Sequence, residues 1–198
     1  MDVSGDHALR PRGDGLADPV ARLARLERLR EPHVAPLSAL VDELRASGRE
    51  AVPYADPADG GVRAGRLFVL QSPTARALAT GFVSRDNPTG TAANLRRLMA
   101  EAGIPRADTL LWNMVPWVLA RPPRLADLRE GALWLDRLLR LLPDLRAIVL
   151  LGLDAQRGGR FLDTPPGVTV IASYHPSPNT LAGYPHYRRR IVEAFRAA

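Results

Sequence analysis

The chain has 198 residues, of which 46% are hydrophobic, and it carries a formal net charge of +6 at pH 7. That length is enough for one domain with a hydrophobic core of its own, and no apolar run approaches the roughly 20 residues of a membrane-spanning helix. Because the sequence contains no cysteine, it excludes disulfides, a thiol nucleophile, cysteine zinc sites and cysteine-held iron–sulfur clusters.

The basic character comes entirely from arginine, since none of the 27 basic residues is a lysine. Arginine forms bidentate hydrogen bonds with phosphate and stays charged, so a basic domain of this kind is a candidate nucleic-acid binder. Codon bias in a GC-rich genome would explain the missing lysine, but it does not explain the net charge. The N-terminus is charged and has no apolar signal region, which predicts a cytoplasmic protein.

The N-terminal third of the sequence is predicted to precede the main fold. Residues 1–16 have no periodicity and are expected to form a disordered tail. In residues 17–65, Asp18 and Pro19 mark the start of a first helix, and a second helix is predicted over 36–47. We expect this arginine-rich pair to be a solvated hairpin packed against the core, followed by a loop rich in proline, glycine and aspartate.

Residues 66–198 have the pattern of a regular α/β domain. Four apolar segments of strand length alternate with helical segments, which predicts a three-layer αβα sandwich around a central four-stranded parallel sheet. The last strand, rich in β-branched residues, is expected to be buried. The predicted strands cover residues 67–70, 109–112, 147–151 and 168–172, and the predicted helices cover 91–102, 125–142, a segment around Ala155, and a basic segment over 184–195.

Polar loops follow three of these strands, at residues 71–74, 113–117 and 175–179. The carboxyl ends of parallel strands meet at one edge of a sheet, where ligands of such folds bind, so we expect the three loops to converge. They contribute the amide of Asn113 and the imidazole of His175. An asparagine can pair with a base edge, and nearby aromatic rings can stack on a base face. The set therefore suits a planar, uncharged ligand such as a nucleobase.

Other chemistries lack their motifs. Residues 152–155 have neither the glycine spacing nor the lysine of a phosphate-binding loop, there is no nucleophile elbow, and the histidines do not fall at metal-ligand spacing. No metal or cofactor is therefore expected. Each candidate also has a purely structural interpretation: His175 as a surface histidine in a proline-rich turn, Asn113 as a turn-forming residue, and Phe82 as part of the core.

Several segments resemble motifs of the uracil-DNA glycosylase superfamily, and they occur in that family's order over about residues 66–198. The segment 70–74 resembles the family's first strand-end loop, and 175–178, with the sequence His-Pro-Ser-Pro, resembles its second catalytic motif. Further matching segments are 81–84, 87–95, 111–116 and 149–156.

The resemblance implies a DNA glycosylase that flips uracil or another deaminated base out of DNA and hydrolyses its N-glycosidic bond. Asn113 would pair with the N3/O4 edge of the base, Gln71 would hold O2, and Phe82 would stack on the ring. His175 would stabilise the negative charge on the departing base. The loop that carries Ser72 would place it where the family's best-known branch has an aspartate that activates water.

The resemblance also assigns residues around this centre. Pro73 and Thr74 would complete the base-binding loop, and Ser177 would hold a backbone phosphate. Asn179 would lie where the family inserts a wedge residue into the duplex. Further screened phosphate contacts would come from Arg188 and Arg189. The implied partner is DNA, with no membrane, and the implied protein is a monomer that works at the bacterial nucleoid.

Three departures from the family pattern leave the function open. Serine at position 72 is a poor general base, and Asp86 in a nearby loop is one candidate to help it. Threonine at position 74 replaces the tyrosine that excludes the methyl group of thymine, and asparagine at position 179 replaces the wedge leucine. The alternatives are a DNA- or base-binding protein of the same fold that lost catalysis at Ser72, and an enzyme that acts on a free nucleoside.

Overall fold

The structure is a computed structural model that describes residues 15–184 and 186–198. Within these residues the strands are β1 (Tyr54–Ala55), β2 (Arg66–Leu70), β3 (Phe82–Val83), β4 (Thr109–Asn113), β5 (Ala147–Leu151) and β6 (Thr169–Ser173). The α-helices are α1 (Pro19–Glu27), α2 (Ala35–Ala46), α3 (Ala75–Thr80), α4 (Gly90–Glu101), α5 (Leu125–Leu139), α6 (Leu153–Gly159), α7 (Pro178–Gly183) and α8 (His186–Arg196).

The four longer strands form one parallel sheet in the order β4-β2-β5-β6, with β2 and β5 in its centre. The two-residue strands β1 and β3 pair with each other in a separate parallel ladder. Parallel strands require crossover connections, which here run through the helices. The carboxyl ends of all four long strands therefore lie at the same edge of the sheet.

Helices cover both faces of this sheet. Side chains alternate along a strand, so Leu67 and Val69 of β2 pack in one cluster, while Phe68 packs in the other. The first cluster includes residues of α2 and α5, and the second includes residues of α4 and α8. On the second face, the rings of Phe68 and Phe195 meet edge to face with centroids 4.9 Å apart. The predicted αβα sandwich is confirmed.

The prediction of a buried last strand is wrong for β6. Val170 is 43% exposed, and Thr169 and Ala172 are also exposed. The strand lies at the edge of the sheet, where it pairs only with β5. An edge strand has a neighbour on one side alone, and the covering helices leave most of its side chains in contact with solvent.

A short helix that the sequence analysis did not predict follows the His-Pro-Ser-Pro segment. The sequence predicts a polar, proline-rich loop over 175–179, but the second proline of this segment, Pro178, begins α7. Ser177 is its N-cap, because its hydroxyl accepts a hydrogen bond from the Thr180 backbone N–H at 3.2 Å. Proline is well suited to the first position of a helix, and this position outweighed the turn propensity.

The N-terminal helices behave differently from each other. Asp18 caps α1 as predicted, since its side chain accepts a hydrogen bond from the Val20 backbone N–H at 2.9 Å. The helix α2 packs on the core through four buried apolar residues. The helix α1 buries none, and its Leu23 is 62% exposed. The prediction that both helices pack on the core is therefore wrong for α1, which is held by ion pairs of Arg25 with Asp56 and Asp86.

The predicted disordered tail over 1–16 falls mostly outside the described residues. Gly15 and Leu16 belong to a short 3-10 turn, and the Leu16 side chain is completely buried, so the prediction does not extend to them. None of the helices in the described part of the chain is long and apolar enough to cross a membrane.

Candidate active site

A cavity of about 740 Å³ opens at the carboxyl edge of the sheet. We call it the first cavity. Its wall combines the loop after β2, the end of β4 and the loop after β6, so the structure brings together three segments that are far apart in sequence. The predicted site residues that line it are Gln71, Ser72, Pro73, Thr74, Asn113 and His175.

Asn113 is the last residue of β4 and is only 3% exposed. Backbone hydrogen bonds join the two residues after Asn113 to the end of β2 and the residue that follows it, from Met114 N to Leu70 O at 2.7 Å and from Val115 N to Gln71 O at 2.9 Å. No group in the described part of the chain hydrogen-bonds the Asn113 side-chain amide. The Asn113 side-chain atoms are not among the buried polar atoms without a partner, and the residue lines the first cavity, so the amide is open to this cavity and can pair with a ligand there.

His175 lies two residues after β6 and packs closely against Gly152. The φ angle of Gly152 is +90°, and a Cβ at this position would lie 3.0 Å from the His175 Cβ. Both the Gly152 backbone N–H and the Gln156 side-chain Nε2 donate to the Ser173 carbonyl at 2.9 Å. These bonds fix the strand end from which His175 projects.

Burial lowers the pKa of His175. The imidazole is therefore neutral at neutral pH, and it offers one N–H donor and one acceptor nitrogen. No group in residues 15–184 or 186–198 hydrogen-bonds either nitrogen. A neutral donor in a partly buried site can stabilise an oxygen on which negative charge develops.

Helix α4 holds the segment that follows His175. The Asn94 side-chain Nδ2 donates to the Pro176 carbonyl at 3.0 Å. The N-terminus of α4 also lies against the Pro178 ring, since a Cβ on Gly90 would overlap it. Two regions that resemble family motifs are thus in direct contact. Ser177 and Asn179 do not line the first cavity: Ser177 caps α7, and Asn179 is exposed on that helix.

The structure does not bring Phe82 into the first cavity. Phe82 is completely buried, whereas the next two residues, Val83 and Ser84, line the cavity wall. The Asn87 side-chain Nδ2 donates to the Phe82 carbonyl at 2.8 Å, which fixes the turn after β3. In this arrangement Phe82 supports the wall from behind, and an aromatic ring that stacks on a base is missing from the described lining.

The two predicted phosphate contacts on α8 lie on the protein surface. Arg188 Nη2 forms an ion pair with Glu101 Oε2 at 2.7 Å, and Arg189 Nε lies 3.5 Å from Glu193 Oε1. Exposed pairs of this kind are weak. Neither arginine lines the first cavity.

The far wall of the first cavity comes from the start of α4 and from the loop between β4 and α5. The start of α4 lies in the segment 87–95, which resembles the family's loop into a helix beside the pocket, whereas residues 118–122 of the other loop were not predicted. Arg121 in this wall is held by the Asp127 carboxylate, with Nη1 and Oδ2 2.6 Å apart. The segment 87–95 contributes Thr89, Thr91 and Leu95 to the lining, and the unpredicted lining residues include Val118, Leu119, Arg121 and Pro122.

A buried ionic cluster lies behind the Ser84 side of the cavity. The Ser84 hydroxyl donates to Asp56, which is 1% exposed. Arg106 connects three carboxylates: Nη2 to Asp56 Oδ2 at 2.8 Å, Nε to Asp59 Oδ1 at 2.9 Å, and Nη1 to Asp86 Oδ2 at 2.6 Å. The residues 51–65, predicted as a loop, thus supply two buried acids to the core.

The carboxylates of this cluster differ in their pKa values. Burial raises the pKa of Asp59 to about 7, because the arginines beside it offset desolvation only in part. Burial also acts to raise the pKa of Asp86, but hydrogen bonds and charge from Arg106 and Arg25 outweigh it, so the pKa is lowered. Asp86 does not line the first cavity, and its pairing with Arg106 leaves it poorly placed to activate water there.

Metal ligands are not grouped in this region. Across the described ranges, no three histidine, aspartate or glutamate side chains lie close enough to hold a metal ion.

Comparisons with known proteins identify the family to which the chain belongs. The family model described as the uracil DNA glycosylase superfamily matches residues 45–196, which include all residues that line the first cavity. Among solved structures, the chain is similar to the crystal structure of a mimivirus UNG variant in complex with UGI, at 15% identity, 79% coverage of this chain, 69% coverage of that chain and a TM-score of 0.38. A comparison with curated protein sequences finds no match.

Proposed function

The chain belongs to the uracil DNA glycosylase superfamily, whose members are glycosylases, and we propose that it hydrolyses the N-glycosidic bond of uracil or another deaminated base in DNA. The base would be flipped out of the strand into the first cavity, at a cost of a few kcal/mol for unstacking. The reaction would be the first step of base excision repair.

The observation that carries this proposal is that Asn113 and His175 line the same cavity. Both side chains line it, and neither has a hydrogen-bond partner in the described residues. Asparagine offers a donor and an acceptor side by side, which matches the adjacent N3–H and O4 of uracil. The sequence contains no cysteine and no nucleophile-elbow motif, and no group of metal ligands is found in the described residues.

The geometry supports a mechanism in which the base leaves as an anion. The C1′–N1 bond breaks and both of its electrons go to the base, while Asn113 holds the N3/O4 edge. The neutral His175 imidazole and the backbone of the Gln71 loop donate to the oxygen that becomes negative. A water oxygen then bonds to C1′ and loses its proton, and the released base takes up a proton.

Ser72 sets the expected speed of this reaction. Its hydroxyl lines the first cavity, and no aspartate or glutamate is among the described lining residues. A serine hydroxyl can orient a water molecule, but it cannot accept its proton at neutral pH. Catalysis therefore depends on stabilising the departing base, and we expect a slower enzyme than one with a carboxylate at this position.

Thr74 broadens the expected choice of base. It lines the cavity where the resemblance puts a tyrosine that excludes a methyl group, and its side chain accepts a hydrogen bond from the Ala77 backbone N–H at 3.2 Å as the N-cap of α3. A small capping residue leaves more room than an aromatic ring. Substrates other than uracil, such as hypoxanthine or xanthine, are therefore included in the proposal.

A second candidate function is a DNA- or base-binding protein without catalysis. The absence of a carboxylate from the described lining, together with the pairing of Asp86 to Arg106, favours it. Retention of both Asn113 and His175 favours the enzyme, since a pure binder has no need for a donor aimed at a leaving group.

One experiment separates the two functions. The protein is incubated with single- and double-stranded oligonucleotides that contain uracil, hypoxanthine or xanthine, and abasic sites are then cleaved with alkali. The enzyme predicts strand scission at the modified base, whereas the binder predicts none on any substrate. DNA binding, measured in parallel, is expected to weaken steeply as salt rises in both cases, so a flat salt profile would contradict both.

A further inference from the structure

A second cavity lies on the other side of His175. Its volume is about 710 Å³, and it shares two wall residues, Gln71 and His175, with the first cavity. Its remaining wall comes from the ends of β5 and β6, the start of α6, and the segment from α7 to α8. The proposed reaction leaves this cavity unused.

Three tyrosines, Tyr174, Tyr184 and Tyr187, line the second cavity. The rings of Tyr174 and Tyr187 are stacked with centroids 3.7 Å apart and an interplanar angle of 9°, and Tyr184 stacks on Tyr187 at 4.8 Å. Arg190 Nη1 donates to the Tyr174 hydroxyl at 2.8 Å. Tyr174 and Tyr187 are thus fixed by their neighbours, whereas Tyr184 is 53% exposed and has ring surface available to a ligand.

Two further residues complete a surface suited to a flat ring. Leu153 is the first residue of α6, lines the cavity and is 78% exposed. Its apolar side chain is therefore in contact with solvent and available to a ligand. Gln156 uses its Nε2 to bond the Ser173 carbonyl at 2.9 Å, which fixes the amide and leaves its Oε1 as an acceptor. The one carboxylate among the described residues of the lining, Asp154, is paired with Arg157, with Oδ1 and Nη1 3.1 Å apart. Apolar and aromatic surface beside an oriented amide is chemistry that binds a nucleobase.

We propose that the second cavity binds the nucleobase next to the one held in the first cavity, so that the protein recognises two successive nucleotides of a single strand. The inference rests on the proposed function for the identity of the first base. Because both cavities share the His175 wall, a strand that places one base in the first cavity passes its phosphodiester over this wall. The adjacent base on one side then reaches Tyr184 and Leu153.

Binding to three fluorescent single-stranded oligonucleotides tests this inference. Each contains one uridine with a 2′-fluoro group, which withdraws electrons and slows loss of the base. The first has normal neighbours, the second lacks the base on the 5′ side, and the third lacks it on the 3′ side. Loss of one neighbour, and not the other, is expected to weaken binding of the wild type about tenfold, as loss of one stacked base does.

Variants connect that effect to the cavity. Tyr184→Ala is expected to bind the normal oligonucleotide about tenfold more weakly than the wild type and to lose the dependence on one neighbouring base. Tyr184→Phe is expected to keep the wild-type affinity and this dependence, because its ring still stacks. Leu133→Ala is the control, since Leu133 is 67% exposed on α5 and lines neither cavity. Melting temperatures verify that each variant is folded.

Equal effects from both neighbours, no effect from either, or a one-sided effect that persists in Tyr184→Ala would overturn the inference. Release of uracil from unmodified oligonucleotides is measured separately. Release without one-sided binding would leave the proposed function intact and refute the second subsite. One-sided binding without release of uracil, hypoxanthine or xanthine would support the second subsite and refute the proposed function.

Discussion

The Asn94 side chain on α4 donates a hydrogen bond to the Pro176 carbonyl at 3.0 Å. This single bond connects the helix beside the first cavity to the segment that directly follows His175. The imidazole itself has no hydrogen-bond partner in the described residues, so its position depends on the backbone on either side of it. We therefore expect Asn94 to position the backbone from which His175 projects.

Replacing Asn94 with alanine is expected to lower the single-turnover rate of base release about tenfold. The cause is a less fixed imidazole, since small misplacements of reacting groups reduce rates strongly. The lost hydrogen bond costs about 1 kcal/mol of stability. A fall in melting temperature with an unchanged rate would show that Asn94 has a structural role only.

Replacing Gly152 with alanine is expected to reduce activity more than stability alone explains. With φ +90° and ψ 169°, Gly152 has a backbone conformation that is essentially limited to glycine, so a side chain there is strained by roughly 1–3 kcal/mol, and its Cβ would lie 3.0 Å from the His175 Cβ. Gly48 provides a matched control, with a φ of +92° and no atom within 4 Å of the added Cβ. Both alanine variants should melt at lower temperature, but only Gly152→Ala should lose activity; equal activity in the two would contradict the account.

Asp59 is expected to make stability depend on pH. Its pKa rises from the ordinary 3.8 to about 7 on folding because of burial, so the folded state holds a proton that the unfolded chain releases. The free energy of unfolding should therefore decrease as pH rises from about 4 to about 7, by roughly 2–4 kcal/mol, and then level off. Urea unfolding at several pH values measures it.

The variant Asp59→Asn isolates this effect. Its amide oxygen can still accept the Arg106 hydrogen bond, but it cannot ionise. The difference in unfolding free energy between variant and wild type should favour the variant increasingly up to about pH 7. A constant difference across this range would show that Asp59 is ionised throughout in the folded protein.

The ring of His175 is expected to titrate below the ordinary histidine pKa of 6.5, because burial disfavours the imidazolium. The folded state then binds fewer protons than the unfolded chain, so stability contributed by the neutral ring is lost as pH falls below 6.5. Proton NMR of the ring resonances, assigned with His175→Gln, measures the pKa. A value at or above 6.5 would contradict the burial of this ring.

The central strands could be predicted to within one residue, because they are continuous apolar runs that end at polar loops. Ala147–Leu151, for example, is buried at every position. The pair of β1 and β3 could not be predicted, since strands of two residues show no periodicity. The exposure of β6 also escaped prediction, because its composition is that of a buried strand and its edge position depends on strand order.

The candidate site was predicted only where strand ends carry polar residues, as for Gln71, Asn113 and His175. Asp56 and Asp59 were missed because a segment of proline, glycine and aspartate has the composition of a surface loop. Their burial depends on Arg106, about fifty residues later, and such a pairing has no local signal. The burial of Phe82 behind the cavity wall was missed for a similar reason. It depends on the orientation of β3 relative to the cavity, and the spacing of residues in the sequence does not determine that orientation.

The most direct test of the proposed function is the single-turnover rate at which free uracil leaves a uracil-containing oligonucleotide, quantified by mass spectrometry. The wild type is predicted to release uracil, and His175→Ala and Asn113→Ala are each predicted to be about 100-fold slower, as expected for loss of a group that stabilises the transition state. Circular dichroism verifies that the variants are folded. No release of uracil by the wild type, together with no release from matched hypoxanthine and xanthine oligonucleotides, or release at unchanged rates by both folded variants, would contradict the account.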